Sequence, residues 1–180
     1  MPLLRGVAEH RDPEKLELYL AETSPANRFG VGLVAEVDGK AVGFVAGAGI
    51  AVALSGLDVS EEDITRRIGL LDILAVHPDY QRRGIGALLC TTLLDRFRDT
   101  GQRLVVAKLA NGRRDLIPIY AGWGWSVGGN GSGLAVELGS HPIVIAEHPA
   151  ERIAWKALSS RVRPGSSGVQ GEVAVSGMFD

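Results

Sequence analysis

The stretch that most constrains this chain is LLDILAVHPDYQRRGIGALLCTTLLDRF, residues 70–97. Its first part, LLDILAV, is almost continuously apolar, as expected of a central strand covered on both faces. Its last part repeats Ile85, Leu88, Leu89, Leu93, Leu94 and Phe97 at helical spacing, with Asp95, Arg96 and Arg98 off that face. Gly101 then suits a helix C-terminal cap. A strand passing so quickly into an amphipathic helix commits the chain to packing a helix on a sheet. The connection carries Arg82, Arg83, Gly84 and Gly86. Glycine there removes side chains from the approach to the helix start and permits the positive φ angles that turn successive N–H groups to one side. The first helical turn adds unpaired donors and the positive end of the dipole, and arginine pairs with phosphate oxygens. Two readings stand at this point: a tight strand-to-helix connection, or a seat for an anion such as a pyrophosphate.

The remaining chain narrows both fold and ligand. VGLVAEV and AVGFVAGAGI flank Asp38-Gly39, the strongest hairpin signal present. A short strand is expected at Leu3–Ala8, and a helix over DPEKLELYLAE, with Asp12 as cap and Pro13 in the first turn. RLVVAKLA, LAVEL and PIVIA read as strands, while RRDLIPIYAGWGW is helical up to Tyr120 despite Pro118. PAERIAWKALSS reads as a terminal helix, RVRPGSSGVQG as linker, and EVAVSGMF as a last docked strand, on this chain or a partner. The order predicts a mixed, mostly antiparallel α/β fold rather than a regular strand–helix alternation. A P-loop is excluded because no Lys-Ser or Lys-Thr follows the glycines. A dinucleotide fold fits poorly: GIGALL lacks a third glycine, and no acidic residue closes the strand Leu104–Ala110.

Composition sets the outer limits. At 180 residues, 46% hydrophobic and 22% charged, the chain has material for one well-formed core. A formal net charge of −2 argues against nucleic-acid binding through overall positive charge. Cys90 is alone, so no internal disulfide forms, and its leucine neighbours make it a buried structural thiol. His10, His77, His141 and His148 show no ligand spacing, so no metal is expected, and His77 is read as part of its turn. No apolar run approaches a membrane span, and the apolar segment near the N-terminus is too short for a signal peptide. The expectation is a cytoplasmic protein with no membrane or nucleic-acid partner. The acidic group Asp58, Glu61, Glu62 and Asp63 is either a helix start favoured by the dipole or an attractor of a cationic substrate.

With these residues in place, the sequence resembles the GNAT N-acetyltransferase superfamily. LAVHPDYQRRGIGALL is similar to its acetyl-coenzyme A signature, with Gln81, Arg82, Arg83, Gly84, Ile85 and Gly86 filling the core without a gap. Tyr120, Gly124 and Trp125 in YAGWGW match its later motif of Tyr, three residues, Gly and an aromatic. The resemblance runs from about residue 31 to 146. It implies one acetyltransferase domain over residues 1–158, followed by a Gly/Ser-rich tail over 159–180 that includes the possible last strand. It also implies acetyl-CoA as co-substrate and a primary amine of a small molecule or peptide as acceptor. Separately from the resemblance, the late strands and tail offer a route to a homodimer. A sensor domain that binds acetyl-CoA without turnover is the alternative.

N-acetyl transfer requires a positioned amine and thioester, a stabilised oxyanion, a proton acceptor and a protected leaving thiolate. The resemblance implies that the main chain of Leu74, Ala75 and Val76, on a bulged strand, binds the pantetheine arm and polarises the thioester carbonyl. It implies that Gln81, Arg82, Arg83, Gly84, Ile85, Gly86 and Ala87 hold the pyrophosphate. Family members often place an Asn about seven residues before the Tyr. Arg113 stands there in this chain and Asn111 lies nine residues upstream, so Asn111 is carried as a ligand contact with Arg113 as its rival. Tyr120 is implied as the general acid; its other reading is an aromatic anchor for the coenzyme tail. An unperturbed phenol, with a pKa of about 10, is protonated at neutral pH and suited to protonating a thiolate. Asp72 is the only charge in LLDILAV and two residues before Leu74, on the same face of a regular strand. It is the candidate base, with a structural ion pair or amine recognition as its other roles, and Glu36 is a weaker alternative.

Overall fold

A computed structural model describes residues 3–6, 30–50, 60–138, 141–145, 149–166 and 173–177. The helix expected over residues 12–22, and Asp58 of the acidic group, lie outside them. The chain divides into two compact units: Met1–Ala53 with Glu61–Gln102, and Leu54–Ser60 with Arg103–Asp180.

Among its described residues, the first unit is an antiparallel run of four strands with two helices. β1 (Leu3–Gly6) pairs with β2 (Val31–Val37), β2 with β3 (Lys40–Gly49), and β3 with β4 (Ile68–Val76). Asp38 and Gly39 join β2 to β3 with φ of +51° and +74°, the two positive angles of a type I′ hairpin turn. Helix α1 (Glu61–Arg67) starts on Glu61, Glu62 and Asp63 and ends on Arg66 and Arg67, in accord with its dipole. Thr65 Oγ1 lies 2.8 Å from the Glu61 carbonyl and 3.1 Å from that of Ile50, tying α1 to the end of β3.

Helix α2 (Ile85–Asp99) packs on β2, β3 and β4. It buries Ile85, Leu89, Cys90, Leu93, Leu94 and Phe97, nearly the face expected; Leu88 is only half-buried. Each large apolar side chain on that face stabilises by about 1.5–3 kcal/mol relative to exposure, far more than any difference in helix propensity. The strands make room with glycine: a Cβ on Gly69 would stand 2.9 Å from the Phe97 ring, and one on Gly47 2.8 Å from it. At the far end the Gly101 N–H bonds to Arg98 O and the Gln102 N–H to Phe97 O, the Schellman pair that ends a helix on glycine.

Among its described residues, the second unit holds two sheets and one short helix. β5 (Leu104–Ala110), β9 (Glu151–Ala157) and β6 (Ser126–Val127) form one antiparallel sheet with β9 in the middle. β7 (Leu134–Leu138), β8 (His141–Ile145), β10 (Arg163–Ser166) and β11 (Val173–Ser176) form the other, ordered β10–β11–β7–β8. Helix α3 (Leu116–Gly122) lies against β6. Pro118 is its third residue, where no intrahelical N–H is needed, so it does not break the helix.

Two expectations fail here. PAERIAWKALSS is not a helix: residues 151–157 are β9, buried at Ile153, Ala154 and Trp155 between two neighbouring strands. Pro149, Glu151 and the alanines carry a genuine helical bias, but two ladders of long-range pairing override it. The segment of linker composition also supplies a strand, since Arg163–Ser166 pairs with β11. The expected last strand is present, parallel to β7 of this same chain.

Candidate functional site

In the first unit the candidate site is built on the end of β4. Opposite β3, Ile73 faces Ala46 and Leu71 faces Gly47, so Asp72 is the extra residue of a β-bulge. A bulge interrupts the alternation of side chains, so the two-residue spacing no longer places Asp72 and Leu74 on one face. Asp72 is also exposed rather than buried in an apolar strand, so the argument from desolvation does not apply. No ion pair holds its carboxylate among the described residues. Beyond the bulge, His77 N–H bonds to Val42 O at 2.8 Å. With Val76 opposite Gly43, that bond makes Ala75 and Phe44 the pair that exchanges hydrogen bonds. The peptide groups of Leu74 and Val76 therefore point away from β3, whereas those of Ala75 are engaged with it. Of the three main-chain groups expected to contact the ligand, those of Leu74 and Val76 face away from β3 and those of Ala75 face it. Glu36 lies on β2, next to a register shift against β3.

The turn that follows is braced from within. A 3₁₀ segment, Pro78–Tyr80, is capped by His77, whose Nδ1 accepts from the Asp79 N–H at 3.3 Å, and the His77 and Tyr80 rings meet edge-on. Gln81 Nε2 donates to the outward-pointing Val76 carbonyl at 3.0 Å. Arg83 donates to Asp79 O at 2.7 Å and lies over the Tyr80 ring, 5.1 Å from its centroid. Gln81 and Arg83 thus shape the turn. Arg82, exposed and with no hydrogen bond or ion pair among the described residues, is the charge left to face an anion. Arg82 has φ of +61° and Gly84 of +81°, left-handed conformations on either side of Arg83. No atom lies within 4 Å of where a Cβ on Gly84 would sit, so glycine is required there by its backbone angle and not by crowding.

Helix α2 begins at Ile85 without a side-chain cap, and its first backbone bond runs from Leu88 N–H to Gly84 O at 3.0 Å. The N–H groups of Ile85, Gly86 and Ala87 thus have no acceptor within the helix. Three such donors at the positive end of a fifteen-residue helix, beside an uncommitted arginine, fit a phosphate group well.

In the second unit, the other candidate residues lie at the end of α3. The Trp125 N–H bonds to Tyr120 O at 3.0 Å and the Gly124 N–H to Ala121 O at 2.9 Å. With Gly124 at φ of +75°, this is a Schellman cap in which Tyr120 is the third residue from the helix end, Gly124 the left-handed residue and Trp125 the one after it. The motif of Tyr, three residues, Gly and an aromatic is therefore a helix terminator. The apolar contact that accompanies such caps is here the Tyr120–Trp125 pair, edge-to-face with centroids 5.3 Å apart. Trp123 also meets the Tyr120 ring, with centroids 5.4 Å apart, and Tyr120 is only 5% exposed.

The sequence matches the acetyltransferase (GNAT) family over residues 4–125. The chain belongs to the GNAT acetyltransferase family. GNAT-fold structures are also its neighbours in three dimensions. The protein yncA of Salmonella typhimurium, solved with its cofactor acetyl-CoA, superposes with a TM-score of 0.60 at 16% identity, over 92% of this chain and 99% of that one. Ribosomal-protein-alanine N-acetyltransferase of Brucella melitensis gives 0.57 at 17% identity, over 86% and 99%. A GNAT acetyltransferase of Elizabethkingia anophelis with acetyl-CoA bound gives 0.55 at 12%, over 87% and 97%. At such identities the likeness is one of fold. No curated protein sequence matches. GNAT membership supports an acyltransferase.

The two ligand candidates at the end of β5 are committed elsewhere. Asn111 donates from Nδ2 to Pro149 O at 2.6 Å and from its backbone to Ala150 O at 2.8 Å, which fixes the entry to β9. Arg113 makes a two-pronged bond to Asp115, both contacts at 2.9 Å. That bond holds the Asp115 carboxyl below the ordinary carboxylate range and raises Arg113. Among the described residues no group of three or more His, Cys, Asp or Glu is arranged around a metal, and no helix is long and apolar enough to cross a membrane. Sequence reasoning missed the Gln81 bond to Val76, the Arg83–Tyr80 stack and the hold of Lys156 on the end of α3. The first two are local, and their signal is a long polar side chain three to five residues from its partner.

Proposed function

We propose that this protein transfers the acetyl group of acetyl-CoA to a primary amine of a small molecule or peptide, by direct attack with both substrates bound. The observation that carries the reading is the start of α2: an uncapped helix N-terminus behind a turn with two left-handed residues, at the family's acetyl-CoA signature. Acetyl-CoA supplies an activated acyl group as a thioester. The N–H groups of Ile85, Gly86 and Ala87 and the Arg82 guanidinium hold its pyrophosphate, with Gln81, Arg83 and Gly84 keeping the turn in shape. The peptide groups of Leu74 and Val76, directed away from β3, line the pantetheine arm. Asp72 accepts the proton lost by the amine as the C–N bond forms. Tyr120 donates a proton to sulfur as the C–S bond breaks, and regains one from solvent. That two structural neighbours were solved with acetyl-CoA, and that another acts on a protein amine by name, supports the choice of donor and acceptor class.

The test is thiol release from acetyl-CoA in the presence of a panel of primary amines, together with calorimetric titration of CoA. Steady amine-dependent release is expected. Tyr120→Phe should keep CoA affinity and lose roughly a hundredfold or more in kcat, the usual contribution of a positioned acid. An unchanged kcat removes Tyr120 as the acid, and an absence of CoA binding overturns the whole reading.

A further inference from the structure

We propose that Lys156 is a positioning residue for Tyr120, acting through the end of α3. The inference rests on the acid role assigned to Tyr120 above. A helix leaves its last carbonyls without donors. At the end of α3 the Schellman cap satisfies Tyr120 O and Ala121 O, and the Trp123 N–H reaches Ile119 O at 3.1 Å. The carbonyl of Trp123 itself points onward with no helical donor. Lys156 Nζ donates to it, across 33 residues of sequence.

The donor comes from the most firmly held strand of this unit. β9 pairs with β5 along its whole length and with β6 at Ala154 and Trp155, so the backbone that carries Lys156 is fixed. The ammonium is half-buried, and among the described residues no carboxylate lies within ion-pair reach of it. Its charge is applied to a neutral carbonyl at the negative end of a helix dipole, where a cation is favoured. The cap leaves space for it, since a Cβ on Gly124 would stand 3.2 Å from Nζ. Gly124 thus serves two purposes, accepting φ of +75° and admitting the lysine. Trp123 is also one of the two rings that meet Tyr120. Freeing its carbonyl loosens the cap and one wall of the Tyr120 site together, while the turn at the start of α2 is untouched.

Lys156→Met keeps the length and apolar stem of the side chain and removes the donor. Lys156→Arg keeps a donor and the charge. Three measurements separate positioning from simple stability. In amine-dependent thiol release from acetyl-CoA, Lys156→Met should lower kcat about tenfold with KM for acetyl-CoA changed less than twofold, and Lys156→Arg should recover part of the loss. In a Tyr120→Phe background the same Lys156→Met change should alter kcat less than twofold, because nothing remains to be positioned. The third measurement needs no acetyl-CoA: with fluorotyrosine at the three tyrosines, the ¹⁹F signal of Tyr120, assigned by its loss in Tyr120→Phe, should shift or broaden in Lys156→Met while that of Tyr80 stays. An unmoved Tyr120 signal, or an equal loss of kcat in both backgrounds, overturns the proposal. Should Lys156→Met unfold below the assay temperature, Lys156→Leu, which also removes the donor and keeps an apolar side chain, is read by the same criteria. Unchanged turnover in Tyr120→Phe removes the acid role alone, and the ¹⁹F shift then decides the Lys156 contact by itself.

Discussion

Replacing Gly69 by alanine drives a methyl group into the ring of Phe97. The new Cβ would stand 2.9 Å from both Cδ2 and Cε2 and 3.4 Å from Cγ, with no backbone atom among its nearest neighbours. Carbon atoms rest at about 3.5–4.0 Å, so the ring has to retreat by roughly 0.6 Å or more. It has little room to retreat, since Phe97 is fully buried. Overpacking of this kind costs about 1–3 kcal/mol. The alanine recovers part of that, up to ~1 kcal/mol, by restricting the unfolded chain. A net loss of about 1–2 kcal/mol is expected, or a few degrees in Tm for a chain of this size. Phe97→Leu, which removes the ring atoms nearest Gly69, costs roughly 1–3 kcal/mol by itself through the space it leaves. The double variant should then be more stable than the sum of the single losses by at least ~1 kcal/mol, since the methyl enters space the ring has vacated. Urea unfolding of the four proteins measures this directly. Losses that add to within about 0.5 kcal/mol would show that Gly69 is not there to receive Phe97.

Other expectations follow from the same geometry. Gly86→Asp adds a carboxylate at the start of α2, which the dipole favours but a bound phosphate opposes. CoA affinity should fall by about tenfold or more with no loss of thermal stability, and wild-type affinity in calorimetry would place the phosphate seat elsewhere. Asp115 titrates below the ordinary carboxylate range because Arg113 bonds its charged form, so Arg113→Gln should raise its midpoint in an NMR titration. The sign follows from linkage: a depressed folded-state pKa adds stability above the unfolded value and loses it as pH falls through the folded one. Both partners are fully exposed, so the effect should shrink with added salt, and an unmoved midpoint refutes the pairing.

Much of the fold can be read from local signals. The Asp38-Gly39 turn, the apolar face of α2 and its glycine stop at Gly101 each follow from residues within a few positions of one another. What cannot be read is set by distant partners. Glu151–Ala157 has the composition of a helix and becomes a strand because Leu104–Ala110 and Ser126–Val127 pair with it on either side. A bulge in this strand is implied by the family resemblance, but its place at Asp72 cannot be read for the same reason. It is a mismatch between two strands, not a property of LLDILAV, and it undoes the alternation used to aim Asp72. The bonds from Asn111 to Pro149 and Ala150 are likewise absent from its local sequence, since those partners arrive only when the chain returns.

The two features that made a function legible share a physical origin. Gly84 opens α2 with φ of +81°, and Gly124 closes α3 with φ of +75°. Helix interiors satisfy their own backbone and tolerate many side chains, whereas helix ends leave donors and acceptors that only special residues or outside partners can meet. A chemistry that depends on bare N–H groups at one helix start, and on a tyrosine fixed at one helix end, must therefore write glycine at set distances from its working residues. In GIG that distance leaves Ile85, Gly86 and Ala87 with N–H groups unspent. In YAGWGW it places Tyr120 where the cap accepts a hydrogen bond and the C-terminal aromatic packs. Both motifs are rules about terminating helices before they are rules about any ligand, which is why each can be read from the spacing of a few neighbouring residues.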